Sequence, residues 1–391
     1  MRRDARTAAI AATLTFASIA GTFGQFALGS LSPYLTVEFS LTRTELGLAT
    51  TTVFVIAALV SAPVGRAVDH FGGRLLTAAL FVAAASSWWV MATAQAYVVL
   101  LAGAALAGVS LAAANPATNR VVASEVENGA QAKVMGIKQA GAPFAGVLAG
   151  GLLPIGAEAL GWRGTLYVAS AVGILGAVAA LRWVPRHLVT PEVRAREERM
   201  ADATVIRWLS RYAFFMGVGM SATFAYATLY AYEDIGLTRA EAGLTLAVIG
   251  TLGAALTVVG GLWARRARQM SKALARLALG AAGFTVITAA AAELHPSFLW
   301  IGLAGFGVTA IPWHVLGMTA IVRNLSSARA GRGSGTVLLA FFLGVVVSPF
   351  IFGVLVDATD SYAVGWGWVA ASFLGASAVA YTWARQAPLR G

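Results

Sequence analysis

The sequence predicts an all-α membrane protein with twelve transmembrane helices in two six-helix bundles. Three observations predict it. The 391-residue chain is 58% hydrophobic and only 12% charged, whereas a soluble domain carries about 45–50% apolar and about 25% charged residues. Long uncharged runs recur along the chain. Its two halves also repeat one another at a fixed offset of 196 residues.

The runs set the spans. About 20 apolar residues cross a hydrocarbon core of roughly 30 Å. Uncharged runs of about this length or more occupy residues 7–37, 46–65, 139–157, 164–181, 212–232, 242–264, 333–356 and 361–384. Residues 277–292 form a shorter run that extends backward through a snorkelling Arg276, and residues 294–322 carry only His295 and His314. Residues 75–119 hold 45 positions without a charge, enough for two spans folded at Ala94-Gln95-Ala96. The total is twelve. None shows a clean amphipathic stripe, as expected of helices apolar all round. The first run is too long for the 7–15-residue apolar region of a secretory signal, so it is expected to stay as the first membrane helix.

Orientation follows from Lys and Arg. With the N-terminus in the cytoplasm, Arg43, Arg163 and Arg239 fall outside and the other 25 of 28 basic residues fall inside. The predicted outer loops and helix ends instead hold Glu38, Glu45, Glu158, Glu233, Asp234, Glu241, Glu293, Asp357 and Asp360. The net charge of +11 is therefore a topology signal for the cytoplasmic membrane, and no soluble basic face remains for nucleic acid. The chain has no cysteine, and its four histidines are scattered, so no metal site or cofactor is expected.

The repeat fixes the organisation. Leu41-Thr42-Arg43-Thr44-Glu45-Leu46-Gly47-Leu48 falls on Leu237-Thr238-Arg239-Ala240-Glu241-Ala242-Gly243-Leu244. The same shift places Tyr34 on Tyr230, Glu38 on Asp234, Gly65 on Gly261 and Pro116 on Pro312. Thr42 with Glu45, and Thr238 with Glu241, have the spacing of capping boxes that start the second and eighth helices. The expected domains are residues 1–183 and 207–391, joined by a basic cytoplasmic linker at 184–206.

After the second span comes Gly65-Arg66-Ala67-Val68-Asp69-His70-Phe71-Gly72-Gly73-Arg74. It resembles the cytoplasmic signature of the major facilitator superfamily, with Gly65, Asp69, Gly72 and Arg74 matching and His70 standing where a base is commoner. The second-half copy, Gly261-Leu262-Trp263-Ala264-Arg265-Arg266, keeps the glycine and the basic cluster but lacks the aspartate. Gly161-Trp162-Arg163 is similar to a frequent loop of the same family. The resemblance implies a transporter, not an enzyme, whose halves rock around a central cavity lined by spans 1, 4, 7 and 10. It also implies that Asp69 and Arg74 belong to a cytoplasmic gating latch, and that the working unit is a monomer.

Polar groups deep in a span are costly and are functional candidates by default. The substrate-binding candidates are Gln25 in span 1, Asn115 and Asn119 in span 4, Tyr226 in span 7, and Trp313 and His314 in span 10. Lys138 and Gln139 join them at the start of span 5, about one turn from the cytoplasmic surface. Pro116 and Pro312 are paired hinge candidates, because a proline frees a backbone carbonyl. Arg120 is an orientation anchor or a lure for an anion. Residues 141–151 carry glycines and Pro143 like an exporter signature, but the core of that pattern is not reproduced, and helix packing accounts for them.

No Asp or Glu lies deep in any span. Positive and neutral donors without a fixed negative charge suit a small organic anion such as a monocarboxylate. If protons are coupled to transport, His314 is the deep group with a suitable ordinary pKa, about 6.5; otherwise a weak acid carries its own proton. Two alternatives stand beside this: an efflux pump for a hydrophobic metabolite or drug, and a non-transporting sensor built on the same fold.

Overall fold

The computed structural model describes residues 2–126, 128–185, 203–266, 269–324 and 327–386. Most of the expected linker, 186–202, lies outside the described residues, and so do the side chains of the second-half motif copy at 261–266. No strand occurs among the described residues. The helices are α1 (Arg2–Ser30), α2 (Ser32–Phe39), α3 (Arg43–Thr93), α4 (Tyr97–Glu125), α5 (Asn128–Gln139), α6 (Gly141–Trp183) and α7 (Ala203–Glu233). They continue as α8 (Arg239–Arg266), α9 (Met270–Ala289), α10 (Ser297–Ala310), α11 (Trp313–Asn324), α12 (Ser327–Thr359) and α13 (Tyr362–Gln386).

Ten helical stretches among the described residues are long and apolar enough to cross a membrane, rather than the twelve expected. Two of the ten, Arg43–Thr93 and Val134–Trp183, are 51 and 50 residues long. At 1.5 Å per residue each runs about 75 Å, more than twice a hydrocarbon core. Each contains one residue with positive φ, Gly72 (φ 80°) and Gly161 (φ 72°) respectively. A side chain at such a φ costs roughly 1–2 kcal/mol, so glycine is where the chain turns back without leaving helical hydrogen bonding for long. Each stretch therefore supplies two crossings, spans 2–3 and 5–6, and the expected number is recovered. The uncharged stretch 75–119 does fold between spans 3 and 4 at residues 94–96, where α3 stops and α4 starts.

The fifth span begins earlier than its uncharged run. Helix starts at Asn128, not at Gln139, and only Ala140 separates α5 from α6. The candidate membrane span there starts at Val134, so Lys138 lies inside the helix, one turn from the start of that span.

The chain forms two compact units. One gathers the first half except Leu41–Thr51; the other gathers the second half together with that segment. In the first unit α1 packs along α4, α5 and α6. Hydroxyls tie neighbouring spans through backbone carbonyls: Ser30 to Ala149 at 2.8 Å, Ser87 to Gly103 at 2.8 Å and Ser170 to Ala85 at 2.9 Å. Such bonds substitute for the hydrophobic drive that lipid removes between helices. In the second unit α7 is central, packed on α8, α12 and α13, with α13 also on α9. Tyr212 reaches Leu274 at 3.1 Å, Tyr230 reaches Thr288 at 3.1 Å, and Ser377 reaches Ala275 at 2.9 Å, all at carbonyl oxygens. Large apolar side chains point outward, Leu152, Leu160, Leu175 and Leu339 among them, as lipid-facing helices require.

Candidate functional site

Three of the sequence candidates come together in the first unit. Asn115 and Asn119 are four residues apart on α4 and so lie on one face. Lys138 reaches that face from α5. Its side chain is fully buried, and its ammonium donates to Asn115 Oδ1 at 3.2 Å and to Asn119 Oδ1. An ammonium only donates, so both amides must turn their oxygens toward it. Their NH2 groups are therefore directed elsewhere, and neither donates to a described residue. Both asparagines are exposed. The result is a buried positive charge, screened by two amides that present unspent N–H donors outward. No carboxylate among the described residues balances it.

This is an expensive arrangement. Burying a charge without a counter-ion is strongly unfavourable. Chemically it is a set of donors with nothing to accept from them, which matches an anion. Hydrogen bonds also polarise along a chain, so each amide drawn to the lysine becomes the better donor on its other side.

The other candidates in this unit stand apart from that cluster. Gln25, half-buried on α1, has an Oε1 with no partner among the described residues. Gln139 is exposed at the end of α5, and Arg120 is half-buried on α4. Of the gating motif, Gly65 continues the helix and Gly72 breaks it. Asp69 is exposed and makes no hydrogen bond or ion pair with described residues. Arg74 donates to the Leu181 carbonyl near the end of α6, while its Nε is buried without a partner among the described residues.

The second unit builds something different from its copy. Pro312 sits between α10 and α11, where the helix is interrupted, and its carbonyl accepts from Val315 at 3.1 Å. Pro116 lies inside an unbroken α4. Of the two hinge candidates, only Pro312 stands at a break. Trp313 is fully buried, edge-on to Tyr212 with ring centroids 5.7 Å apart, and its indole N–H has no partner among the described residues. His314 is half-buried, 4.2 Å from the Trp313 ring and 5.0 Å from Phe341. Tyr226 is fully buried and its hydroxyl meets two backbone carbonyls, of Arg43 at 2.5 Å and Pro349 at 2.9 Å. It acts as a brace between helices, not as a free donor.

Sequence reasoning missed one polar centre. Arg43 binds Glu233, and Asp357 caps the helix that Arg43 begins. Each residue stood out as a charge in a predicted outer loop, but nothing in the linear pattern paired them. Both capping boxes do form: Glu45 accepts from the Thr42 N–H at 2.9 Å, and Glu241 from the Thr238 N–H at 3.0 Å. Beside Glu233, burial and then the neighbouring Glu233 carboxylate raise the Asp234 carboxyl above the usual carboxylate range, with Arg43 opposing them.

The model of the Major Facilitator Superfamily matches residues 14–321. The chain belongs to the major facilitator superfamily. Among its relatives, this superfamily member is 23% identical over 355 residues to the nitrite extrusion protein of Bacillus subtilis (strain 168), covering 89% of this chain and 87% of that one. It is similar in fold to a bacterial homologue of the human lysosomal transporter Spinster, with a TM-score of 0.78 at 17% identity over 96% of both chains. It also resembles a D-xylose–proton symporter, with a TM-score of 0.77 at 15% identity over 95% of this chain and 97% of that one. The superfamily is one of membrane transporters for small solutes, and this is a multi-pass member of it.

Proposed function

We propose that this superfamily member is an alternating-access secondary transporter for a small monovalent anion, with monocarboxylates the leading class, in the cytoplasmic membrane with both termini inside. One observation carries the reading: Lys138 is buried, and among the described residues it binds only the oxygens of Asn115 and Asn119, whose NH2 groups donate to none of them. A cation would meet only repulsion there, and a neutral solute would leave the charge uncompensated. An anion completes it. The name of the Bacillus relative, a nitrite extrusion protein, supports the same charge class. Substrate travels with protons, either through His314 or as the undissociated weak acid, and the working unit is one chain.

The aromatic group around Trp313, His314 and Phe341 favours a second reading, export of a hydrophobic neutral metabolite. Flux into proteoliposomes separates the two. A panel of nitrite, acetate, lactate, uridine and a lipophilic dye should give saturable movement of the anions alone, lost in Lys138→Gln. Dye or nucleoside transport that survives Lys138→Gln would favour the second reading and end the first.

A further inference from the structure

Lys138 and the two asparagines do not stand at the same depth. The lysine is fully buried, whereas Asn115 and Asn119 are exposed. Its ammonium donates to both amide oxygens, so the charge lies behind the amides and the amides form the accessible layer. The surrounding elements hold it there. α5 packs on both α1 and α4, and a Cβ at Gly141, three residues beyond the lysine, would collide with the Thr15 carbonyl of α1. Between the asparagines, Ala117 and Thr118 are fully buried.

This order decides which atoms an incoming anion meets. A carboxamide has one acceptor oxygen and an NH2 group with two donors. With each oxygen spent on the lysine, the NH2 groups are what remains, and neither donates to a described residue. Side chains four residues apart on a helix stand about 5–6 Å apart at Cβ. That spacing lets one carboxylate or nitrite, with two oxygens on a single atom, accept from both amides. Reaching the ammonium instead would require displacing both amide oxygens and entering a space with no exposed surface.

We propose that the donors touching the substrate are Asn115 Nδ2 and Asn119 Nδ2, and that Lys138 is a positioning residue which never touches it. The ammonium turns both amides oxygen-inward and polarises their N–H bonds. The proposal rests on the transport reading above and deepens it: the asparagines, not the lysine, select a small two-oxygen anion head. Asn119→Asp is then the sharpest change. Its carboxylate still accepts from Lys138, but an outward N–H becomes a lone pair in nearly the same shape.

The chain has four asparagines, Asn115, Asn119, Asn128 and Asn324, so isotopically labelled asparagine gives an NMR spectrum with few side-chain NH2 signals. In the purified full chain, lactate or nitrite should shift the signals of Asn115 and Asn119, assigned by Asn115→Asp and Asn119→Asp, and leave the other two in place. The same addition to Lys138→Met should shift neither. Calorimetry should show lactate binding weakened roughly tenfold to a hundredfold in Asn119→Asp, the weight of one lost bond to a charged group, with a melting temperature no lower than wild type. Lactate binding that leaves both amide signals unmoved overturns the proposal. So does an Asn115→Ala, Asn119→Ala double variant that binds lactate as tightly as wild type, because its uncovered ammonium would then be the ligand. If the amide signals respond but no anion crosses proteoliposomes, the transport reading has failed and the amide contact stands. If neither anion binds the wild-type chain, both fall.

Discussion

Span 4 and span 10 occupy equivalent positions in the repeat and share one proline, but they have parted in chemistry. Around Pro116 the first unit places two asparagines and, from α5, a buried lysine. Around Pro312 the second places Trp313 and His314 against Tyr212 and Phe341. The backbone has parted as well, since α4 runs through its proline and the helix of the second copy stops at its own. Both copies keep the residue that weakens the helix, while the side chains around it differ. One unit holds the charge, the other an aromatic surface with a single titratable ring. If both took part equally in binding, their substitutions would have equal effects; the difference predicts a steep order.

The largest effect belongs to Lys138. Lys138→Met removes the only charge of the cluster and keeps the volume, so anion flux should fall by at least a hundredfold. Stability should move the other way. A buried charge without a counter-ion is strongly unfavourable, so removing it should raise the melting temperature of the purified protein. A melting temperature that drops instead would make Lys138 a structural member of its bundle and would dissolve the contrast. Asn119→Ala comes next. It takes away one hydrogen bond to a charged group, worth about 1.5–3 kcal/mol, and should cut flux roughly tenfold to a hundredfold while leaving Lys138 in place. Flux equal to wild type would show that the amide does no more than fill space.

The fold class was legible in the sequence because its main determinant, uncharged length, is local and additive. The capping boxes were legible for the same reason, being four-residue patterns. Gly72 and Gly161 stood in recognisable motifs, but that each would merge two spans into one long bent stretch depends on a single φ and could not be seen. In the candidate site, Asn115, Asn119 and Lys138 were each marked by polarity inside apolar runs. Their meeting was not marked, because it depends on how α5 packs beside α4, which an uncharged run does not tell. Tyr226 shows the opposite error. A polar tip in a span reads as a donor awaiting substrate, and only the positions of the Arg43 and Pro349 carbonyls reveal that it is already engaged.

His314 sharpens the comparison at an intermediate scale. If the second unit contributes a proton site and not charge recognition, His314→Gln should leave anion exchange at equal pH within about twofold of wild type. Its signature should appear only under a pH gradient: uptake that rises as the outer side is acidified should become flat. A gradient response unchanged in His314→Gln would assign the proton to the weak acid itself.

The smallest effect separates the two prolines. Pro116 sits in a helix that continues on both sides, so it forfeits one backbone hydrogen bond and strains the turn before it, a cost of about 3 kcal/mol in a soluble helix that neighbouring groups in a membrane bundle partly recover. Pro116→Ala restores the N–H and its bond to the carbonyl four residues back. It should therefore raise the melting temperature slightly and change flux by less than about twofold. Pro312→Ala does not have this benefit to collect, because the helix is already interrupted there and the Pro312 carbonyl serves the next turn at Val315. Its melting temperature should stay level or fall, and flux should drop more than for Pro116→Ala. The same sign and size of change in both variants would mean that the break at Pro312 is only a stronger version of the same kink, and the asymmetry between spans 4 and 10 would then rest on their side chains alone.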